Sequence, residues 1–502
     1  MPTADGGCIV NGSFTGYVAL GPMRGDTLRT IGGSQAVEAM LVKYSASGRK
    51  QWALTVGGGA RGETSIGGQQ LDNAGNVLSV VTHDGTLLPP NGSAIIGAGT
   101  SWYCCTPAGA FVGAGLIGRG QWYGGLSILP TNESMLVGST SGPASIGSQQ
   151  IGQIGRYQDS FVAKLNASFQ PIWLRTITSS GLGGNLIRGS VVLPNGNLLI
   201  GGGLYNNVTI DPAHQFVGNL GFMACYDGTT GAVVWARTVS VPVRPLLDRS
   251  TGQVYVAGEF KGQLNLDAVV ATAPFTKENI FIARFDAVAG RGQSLVFAGG
   301  GPEKQELRTL VCQPGVGFTF NGTGIGAADF GPGFGLTGAT PTSSVNYVLQ
   351  VSLQGVPQAF YETPASASPG SVAIDPNGRP FLVTDTAVPV QFGQLPAVVP
   401  RGNSEVIIAH IGLLLGTKSA AAQAAGLAVY PNPAAAAGGI TVTCAWSTGQ
   451  VRLLDAVGRQ VWAGALTQGR AVLPPALALP PGLYVVQVRG ADRTVAQRLL
   501  LE

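Results

Sequence analysis

The 502-residue sequence contains 77 glycines and 31 prolines, whereas only 11% of its residues are charged. Glycine is about twice as frequent as in an average soluble domain and charge about half, which excludes a largely helical protein because glycine destabilises helices. Hydrophobic residues make up 45% of the chain, which excludes a disordered one, and a net charge of +4 without a basic run disfavours nucleic-acid binding. The composition favours an all-β fold with many tight turns.

The first residues, MPTADGGCIVNGSF, do not predict a signal peptide, because no basic segment precedes an apolar one. No transmembrane segment is expected either, since the longest strongly apolar stretch, residues 406–415, is too short for a membrane helix. The six cysteines lack C-x-x-C spacing, so we expect small buried hydrophobic residues rather than zinc ligands or a disulfide framework.

One pattern recurs along the first 410 residues. Residues 160–177, SFVAKLNASFQPIWLRTI, match residues 39–56, AMLVKYSASGRKQWALTV, with a lysine and a tryptophan nine positions apart in both. Residues 222–239 repeat the pattern with one inserted residue. Weaker copies begin at residues 102, 281 and 347, and a last, truncated copy begins at residue 406.

A polar turn followed by an alternating strand lies between these copies, as in LPNGNLLIGG at 193–202. Such turns between apolar segments predict hairpins, so each unit of about 61 residues offers about four short strands. Four strands per unit around a ring is the arrangement of a β-propeller. The aromatic residues repeated at one strand position are expected to pack between blades: Trp52, Trp173, Trp235, Phe297 and Phe360.

These repeats resemble the bacterial SBBP family of seven-bladed propellers over about residues 8–412. Seven copies of the FVAK-type strand and six of the Trp-type strand leave six or seven blades open. The missing strand could come from upstream of Met1, or the N-terminal strand could close the last blade. We therefore predict a propeller domain at 1–412 with six to seven four-stranded blades.

The composition changes after the propeller. An Ala-rich linker is predicted at 413–426, and residues 427–502 contain short β-strands separated by glycine and proline turns, the size of a small β-sandwich.

This segment resembles the type A C-terminal sorting domain of the Bacteroidetes type IX secretion system. The residues that carry the resemblance are Tyr430, Pro431, Asn432, Pro433, Asp455, Gly458, Arg459, Gly482 and Tyr484. The resemblance implies a signal peptide, passage through the outer membrane guided by type IX machinery acting on residues 427–502, and release or attachment at the cell surface. The absent signal peptide and the incomplete first unit both predict that residues upstream of Met1 are missing.

Few side chains predict catalysis. His410 occupies the position of Lys43 and Lys164 in other copies, so we expect a polar strand position, while His83 and His214 belong to no motif. Scarce aspartates begin hairpin turns, where their carboxylates can accept turn N–H groups: Asp72, Asp248 and Asp375. No metal or cofactor site is predicted.

We therefore expect a secreted or cell-surface propeller, without catalysis, that serves in adhesion or binds an unidentified ligand such as a glycan or a protein. The alternative is an extracellular lyase or glycosidase acting on polysaccharides, for which loops at 85–100, 140–158, 205–220, 262–278 and 325–344 are long enough to hold a site. Acidic and basic side chains converging from different blades at one mouth of the channel would favour the enzyme.

Overall fold

Strands are the only regular elements in the part of the chain that the computed structural model describes. That part is residues 1–502 without 21–25, 59–61, 91, 121, 141, 152–158, 181–184, 274, 332–333, 337–343, 364–369, 376–377, 393–396, 401–404, 412–426, 431–433, 435–438, 456–458, 475–478, 481, 491–493 and 502. It divides into two compact units, residues 1–330 with 335–410, and residues 331–334 with 411–502. The predicted linker lies outside the described residues.

The described part of the first unit contains seven blades, numbered 1 to 7, each built on one main antiparallel sheet. Blade 1 has β1 (Cys8–Thr15), the short pair β2 (Tyr17–Ala19) and β3 (Thr27–Arg29), β4 (Val37–Tyr44) and β5 (Lys50–Val56). Blade 2 has β6 (Thr64–Leu71), β7 (Val77–His83), β8 (Gly99–Cys105) and β9 (Phe111–Arg119). Blade 3 has β10 (Trp122–Ile128), β11 (Ser134–Thr140), the short pair β12 (Ala144–Ile146) and β13 (Gln149–Ile151), β14 (Asp159–Leu165) and β15 (Pro171–Ser180).

The remaining blades follow the same order. Blade 4 has β16 (Asn185–Val192), β17 (Leu198–Leu204), the pair β18 (Asn207–Asp211) and β19 (His214–Phe216), β20 (Gly221–Tyr226) and β21 (Val233–Val239). Blade 5 has β22 (Val243–Leu247), β23 (Val254–Phe260), the pair β24 (Gln263–Leu266) and β25 (Val269–Thr272), β26 (Asn279–Asp286) and β27 (Arg291–Gly299). Blade 6 has β28 (Gln305–Gln313), β29 (Gly317–Ile325), the pair β30 (Ala328–Asp329) and β31 (Gly335–Leu336), β32 (Ser344–Ser352) and β33 (Pro357–Thr363). Blade 7 has β34 (Ser371–Ile374), β35 (Pro380–Thr386) and β36 (Glu405–His410).

The first strands of neighbouring blades pack on one another: β6 on β10, β16 on β22 and β28 on β34. These strands therefore surround the central channel of the ring. The propeller prediction is confirmed, and the number of blades is seven. Blades 2 to 6 contain four main strands each, whereas the described sheets of blade 1 (β1-β4-β5) and blade 7 (β34-β35-β36) contain three. Among the described residues, blades 1 and 7 meet through side chains, since Cys8 and Val10 of blade 1 form one apolar cluster with Phe381 of blade 7.

Aspartates stabilise the turn between the first and second strands, as predicted. Asp72 Oδ1 accepts the backbone N–H groups of Ala74 at 2.9 Å and Asn76 at 2.7 Å. Asp248 and Asp375 accept turn N–H groups in the same way, from Ser250 at 3.0 Å and Arg379 at 2.8 Å. Each carboxylate thus satisfies backbone donors that the hairpin itself leaves unpaired.

Tryptophans on the fourth strands of blades 1, 3 and 4 join each of these blades to the next. The indole N–H donates to a carbonyl in the turn between the third and fourth strands of the following blade: Trp52 to Pro107 at 2.9 Å, Trp173 to Gly228 at 3.4 Å, and Trp235 to Ala287 at 3.0 Å. A glycine with positive φ in the same turn lies against each ring, and a Cβ added at Gly231 would lie 2.6 Å from Trp173. The predicted packing between blades is confirmed for these aromatic residues.

The last two aromatic positions differ from each other. Phe297 is buried and contacts Phe320 of blade 6, with ring centroids 6.0 Å apart. Phe360 instead has its ring contacts within blade 6, with Tyr347 and Phe330. The described part of blade 7 ends at its third strand, so it offers Phe360 no turn of the kind that receives the tryptophans.

Short ribbons between the second and third strands were not predicted. They are the strand pairs β2-β3, β12-β13, β18-β19, β24-β25 and β30-β31, and single bridges in blades 2 and 7 take their place. Several ribbons bind the fourth strand of the preceding blade: β18 pairs with β15, and Arg237 of β21 forms an ion pair with Asp267 at 2.6 Å. The loops proposed as long enough for a site are therefore partly occupied by structure that joins neighbouring blades.

The second unit is one seven-stranded antiparallel sheet in the order β37-β38-β41-β40-β39-β42-β43. Its strands are β37 (Ala428–Tyr430), β38 (Ile440–Thr443), β39 (Thr448–Leu454), β40 (Gln460–Thr467), β41 (Arg470–Leu473), β42 (Gly482–Arg489) and β43 (Thr494–Leu501). Ala434 forms a parallel bridge with Leu501, so the sheet comes close to closing on itself around an apolar core. The predicted small β-domain thus takes the form of a single curled sheet.

Two alanine substitutions in blade 4 test the contact between blades. Gly231→Ala and Gly196→Ala both place a side chain at positive φ, +69° and +85°, which costs about 1–2 kcal/mol. Only the alanine at Gly231 also displaces Trp173, since no atom lies within 4 Å of the Cβ added at Gly196. We expect Gly231→Ala to lower the free energy of unfolding by about 1–3 kcal/mol more than Gly196→Ala in urea denaturation. Equal losses would contradict the proposed role of the Trp173 contact.

Candidate functional site

Three inner strands carry a β-bulge at the same position. In β6, β16 and β28 the pairing register shifts at the fourth residue, which leaves Gly67, Arg188 and Arg308 without a residue opposite on the second strand. A bulge changes the direction of a strand locally and re-aims a side chain, and bulges are frequent beside functional sites. Two of these three positions are arginines, in a chain in which only 11% of the residues are charged.

A network of charged groups links blades 4, 5 and 6 at the channel. Arg188 of blade 4 lies 3.5 Å from Glu259 Oε2 of blade 5, and the two side chains are 27% and 22% exposed. The other carboxylate oxygen, Oε1, accepts the backbone N–H of Leu307 of blade 6 at 2.6 Å. Glu259 therefore divides its charge between a cation of one neighbouring blade and an amide of the other.

Arg244 extends this network from the inner strand of blade 5. Its guanidinium donates to the backbone oxygens of Arg308 at 2.9 Å and Leu307 at 3.3 Å, and burial lowers its pKa. Within blade 6, Glu306 pairs with Lys304 and, at 2.5 Å, with Arg308. The hydrogen bond from Lys304 holds the pKa of Glu306 below its usual value. The channel network, defined as Arg188, Arg244, Glu259, Lys304, Glu306 and Arg308, thus sets four cations against two carboxylates.

A cleft of about 380 Å³ lies beside Arg188, between blades 3 and 4. Its walls are formed by β10 and β11 of blade 3 and β16 of blade 4, with Gln70 of β6 at the border. The cleft exists because glycines stand where larger side chains would fill the space between blades, and a Cβ added at Gly125 would meet no atom within 4 Å. Arg188 is the one charged side chain among its described lining residues.

The three histidines lie in different blades and do not form a joint site. His83 is buried, with Nδ1 2.7 Å from Gly85 O and Nε2 2.9 Å from the Ser101 hydroxyl, and burial lowers its pKa. His214 Nδ1 lies 2.8 Å from Asp211 in the ribbon of blade 4. These contacts engage both ring nitrogens of His83 and one of His214.

His410 has a polar strand position, as the repeat alignment predicts. It stacks on Phe381 and lies 3.2 Å from Asp375, as Lys164 lies 2.9 Å from Glu133 in blade 3. Lys43 pairs with Asp5 at 2.8 Å in blade 1. In each of these blades, a basic group on the third strand pairs with an acid beside the start of the second strand.

The cysteines match the prediction of small buried residues. All six lie in the described residues, no disulfide joins any of them, and all but Cys312 are buried. Burial raises the pKa of Cys104 and Cys225 to about 11 and that of Cys105 and Cys312 to about 12. Within the described residues, no group of three or more His, Cys, Asp or Glu side chains could hold a metal ion.

Residues of the proposed sorting motif gather at one end of the C-terminal sheet. Asp455 accepts the Arg459 N–H at 2.8 Å and its Nε–H at 3.0 Å, which closes the turn between β39 and β40. Leu454, next to Asp455, pairs with Val485, next to Tyr484, whose hydroxyl donates to Pro480 O at 2.8 Å.

The same end includes the start of β42 and the end of β43. Gly482 pairs with Leu501, and Leu501 bridges Ala434, which follows the Tyr430 segment. Tyr430 itself is half exposed at the end of β37. Pro431, Asn432, Pro433 and Gly458 lie outside the described residues. A role for any of these side chains in recognition stays a prediction.

Thiol reactivity tests the cysteine environments. The thiolate is the reactive form, and burial raises the pKa of Cys8, Cys104, Cys105, Cys225 and Cys312, while Cys444 is buried. We therefore expect no thiol to react with an aromatic disulfide reagent in the native protein at pH 8. All six should react in urea. A native thiol that reacts at the rate of a free cysteine would contradict these environments.

Comparison with known proteins matches residues 428–502 to the family described as the secretion system C-terminal sorting domain. No curated protein matches the sequence. Among solved structures, PorZ, a surface component of the type-IX secretion system of Porphyromonas gingivalis, is similar at 14% identity and a TM-score of 0.34, over 93% of this chain and 56% of that chain. A protein of unknown function from Bacteroides caccae is similar at 9% identity and a TM-score of 0.33, over 64% and 89%.

A quinohemoprotein alcohol dehydrogenase from Comamonas testosteroni is similar at 10% identity and a TM-score of 0.33, over 92% of this chain and 72% of that chain. No function is carried over from these three structures. The narrower resemblance of the repeats to the SBBP family stays a prediction. No helix in the described part of the chain combines the length and the apolar character of a membrane span. Residues 428–502 are a C-terminal sorting domain of type IX secretion, and they mark this seven-bladed propeller protein for secretion to the cell surface or the extracellular space.

Proposed function

We propose that the propeller is a binding module that acts outside the cell after type IX machinery has recognised residues 427–502. The sorting domain carries the first part of this proposal, because its partner is the secretion machinery. The binding part rests on the channel network and the neighbouring cleft, where charged side chains of blades 4, 5 and 6 come together at one position of the ring. Adhesion through the ribbons is a variant of the same function.

The carboxylates of the channel network favour binding over catalysis. A glycosidase needs one carboxyl group that keeps a proton and a second that acts as base or nucleophile. Glu306 instead contacts two cations that favour its ionised form, and Glu259 is engaged by Arg188 and the Leu307 N–H. These contacts suit two carboxylates that form a fixed part of a ligand-binding surface better than two carboxyl groups that transfer protons.

An extracellular enzyme is the second candidate. One observation favours it: acidic and basic side chains from blades 4, 5 and 6 converge at the channel, as the alternative requires. A lyase could use an arginine to stabilise charge on a uronate substrate. The two candidates differ in whether product forms.

A turnover assay separates these candidates. We expect the purified full chain to release no products from acidic or neutral polysaccharides while it retains them in an affinity gel, with a known lyase as positive control. Product release that disappears in Glu259→Gln or Glu306→Gln would contradict the binding proposal and support the enzyme.

Export tests the role of the motif end of the C-terminal sheet. A reporter with its own signal peptide, followed by residues 427–502, should leave a cell that has type IX secretion. Arg459→Ala should reduce the exported fraction severalfold if this end contacts the machinery, because Arg459 is exposed beside Asp455. Arg470→Ala, also exposed but on β41, is the matched control and should be exported normally. Equal export of both variants would contradict recognition through Arg459.

A further inference from the structure

We propose that the cleft beside Arg188 binds a monosaccharide-sized ligand through an oxyanion, either a carboxylate or a phosphate group. This inference rests on the binding function proposed above and names the chemistry of its ligand. The cleft volume of about 380 Å³ lies at the lower end of the range of about 300–1,000 Å³ for small-molecule sites, so it suits one sugar-sized ring rather than a long chain.

The hydrogen-bonding groups of the cleft fit an oxyanion. Arg188 is among the lining residues, and a planar guanidinium can bind a carboxylate or phosphate with two parallel hydrogen bonds. Ser127 and Ser190 also line the cleft, and a serine hydroxyl can donate a hydrogen bond to an oxyanion. Among the described strands, β10 and β16 stand at the edge of their sheets, so their outward backbone N–H groups can act as further donors, apart from that of Ile128, which donates to Gln70 Oε1.

The charge of the surrounding network favours an anion. Arg188 contacts one carboxylate, that of Glu259, and this carboxylate also accepts the Leu307 N–H. Arg244 packs close behind the bulge, since a Cβ added at Gly189 would lie 3.1 Å from its Cβ. Because Glu259 compensates only part of the charge of the two arginines, positive potential remains at the cleft, where low-dielectric walls strengthen it.

Calorimetric titration of the full chain at low ionic strength tests this site with three probes. We expect D-galacturonate, inorganic phosphate or both to bind, and the neutral D-galactose not to bind. The galacturonate and phosphate arms distinguish a carboxylate site from a phosphate site. Arg188→Ala should weaken anion binding by about 10- to 100-fold, the range for a hydrogen bond to a charged group.

Two further variants make the test specific. Gly125→Trp should fill the cleft and abolish binding without a change in charge, because its backbone is not at positive φ and its Cβ faces open space. Arg249→Ala removes an exposed arginine from the turn between β22 and β23 and should bind like wild type. Thermal unfolding verifies that each variant is folded. If Arg188→Ala does not fold, anion binding by Gly125→Trp tests the site in its place.

The inference is overturned if no anion binds, if galactose binds as tightly as galacturonate, or if folded Arg188→Ala and Gly125→Trp both bind like wild type. Retention of polysaccharide by the full chain is measured in parallel. If the wild-type chain retains polysaccharide but binds no anion in the titration, the oxyanion site is overturned and the broader binding function stands. If the wild-type chain does not retain polysaccharide, the broader binding function itself is overturned.

Discussion

The contact between consecutive blades is the constraint on which the propeller depends. A four-stranded sheet has two faces and one open inner edge, and in a ring both faces are covered only by neighbouring blades. Trp173 shows how one such contact is built: its indole lies under the next blade's turn, donates to Gly228 O, and requires glycine at position 231. The ribbons add a second link in the opposite direction, from a blade to the fourth strand of the preceding one. The glycine-rich composition follows, because each such turn needs a residue without a side chain.

Features that repeat in sequence could be predicted, and features set by neighbouring blades could not. The tryptophans, the turn aspartates and the position of His410 recur at one period, so each copy supports the others. Arg188 is different. Its proposed role depends on a bulge that shifts the strand register by one residue and on the ion pair with Glu259, which lies 71 positions further along the chain. Nothing in the local sequence of either residue indicates the pairing.

The ribbons were missed for a related reason. The pair β24-β25 spans only LNLDAVV and its flanks, and its turn places Asp267 at a φ of +61°. A segment this short gives no sequence pattern from which that turn could be predicted. The number of blades also required the structure, since blades 1 and 7 have three strands each in the described chain. In the C-terminal unit, by contrast, the motif order could be read from sequence, but its gathering at one sheet end depends on the pairing of β39 with β42 and of β43 with Ala434.

The central claim is that this chain is an exported propeller that meets its ligand outside the cell. Labelling intact cells of the source organism with a membrane-impermeant amine reagent, followed by mass spectrometry of cells and medium, measures this directly. The account predicts labelled peptides from residues 1–410 on intact cells, or the same peptides in the medium. Peptides that become labelled only after lysis, with none in the medium, would contradict it.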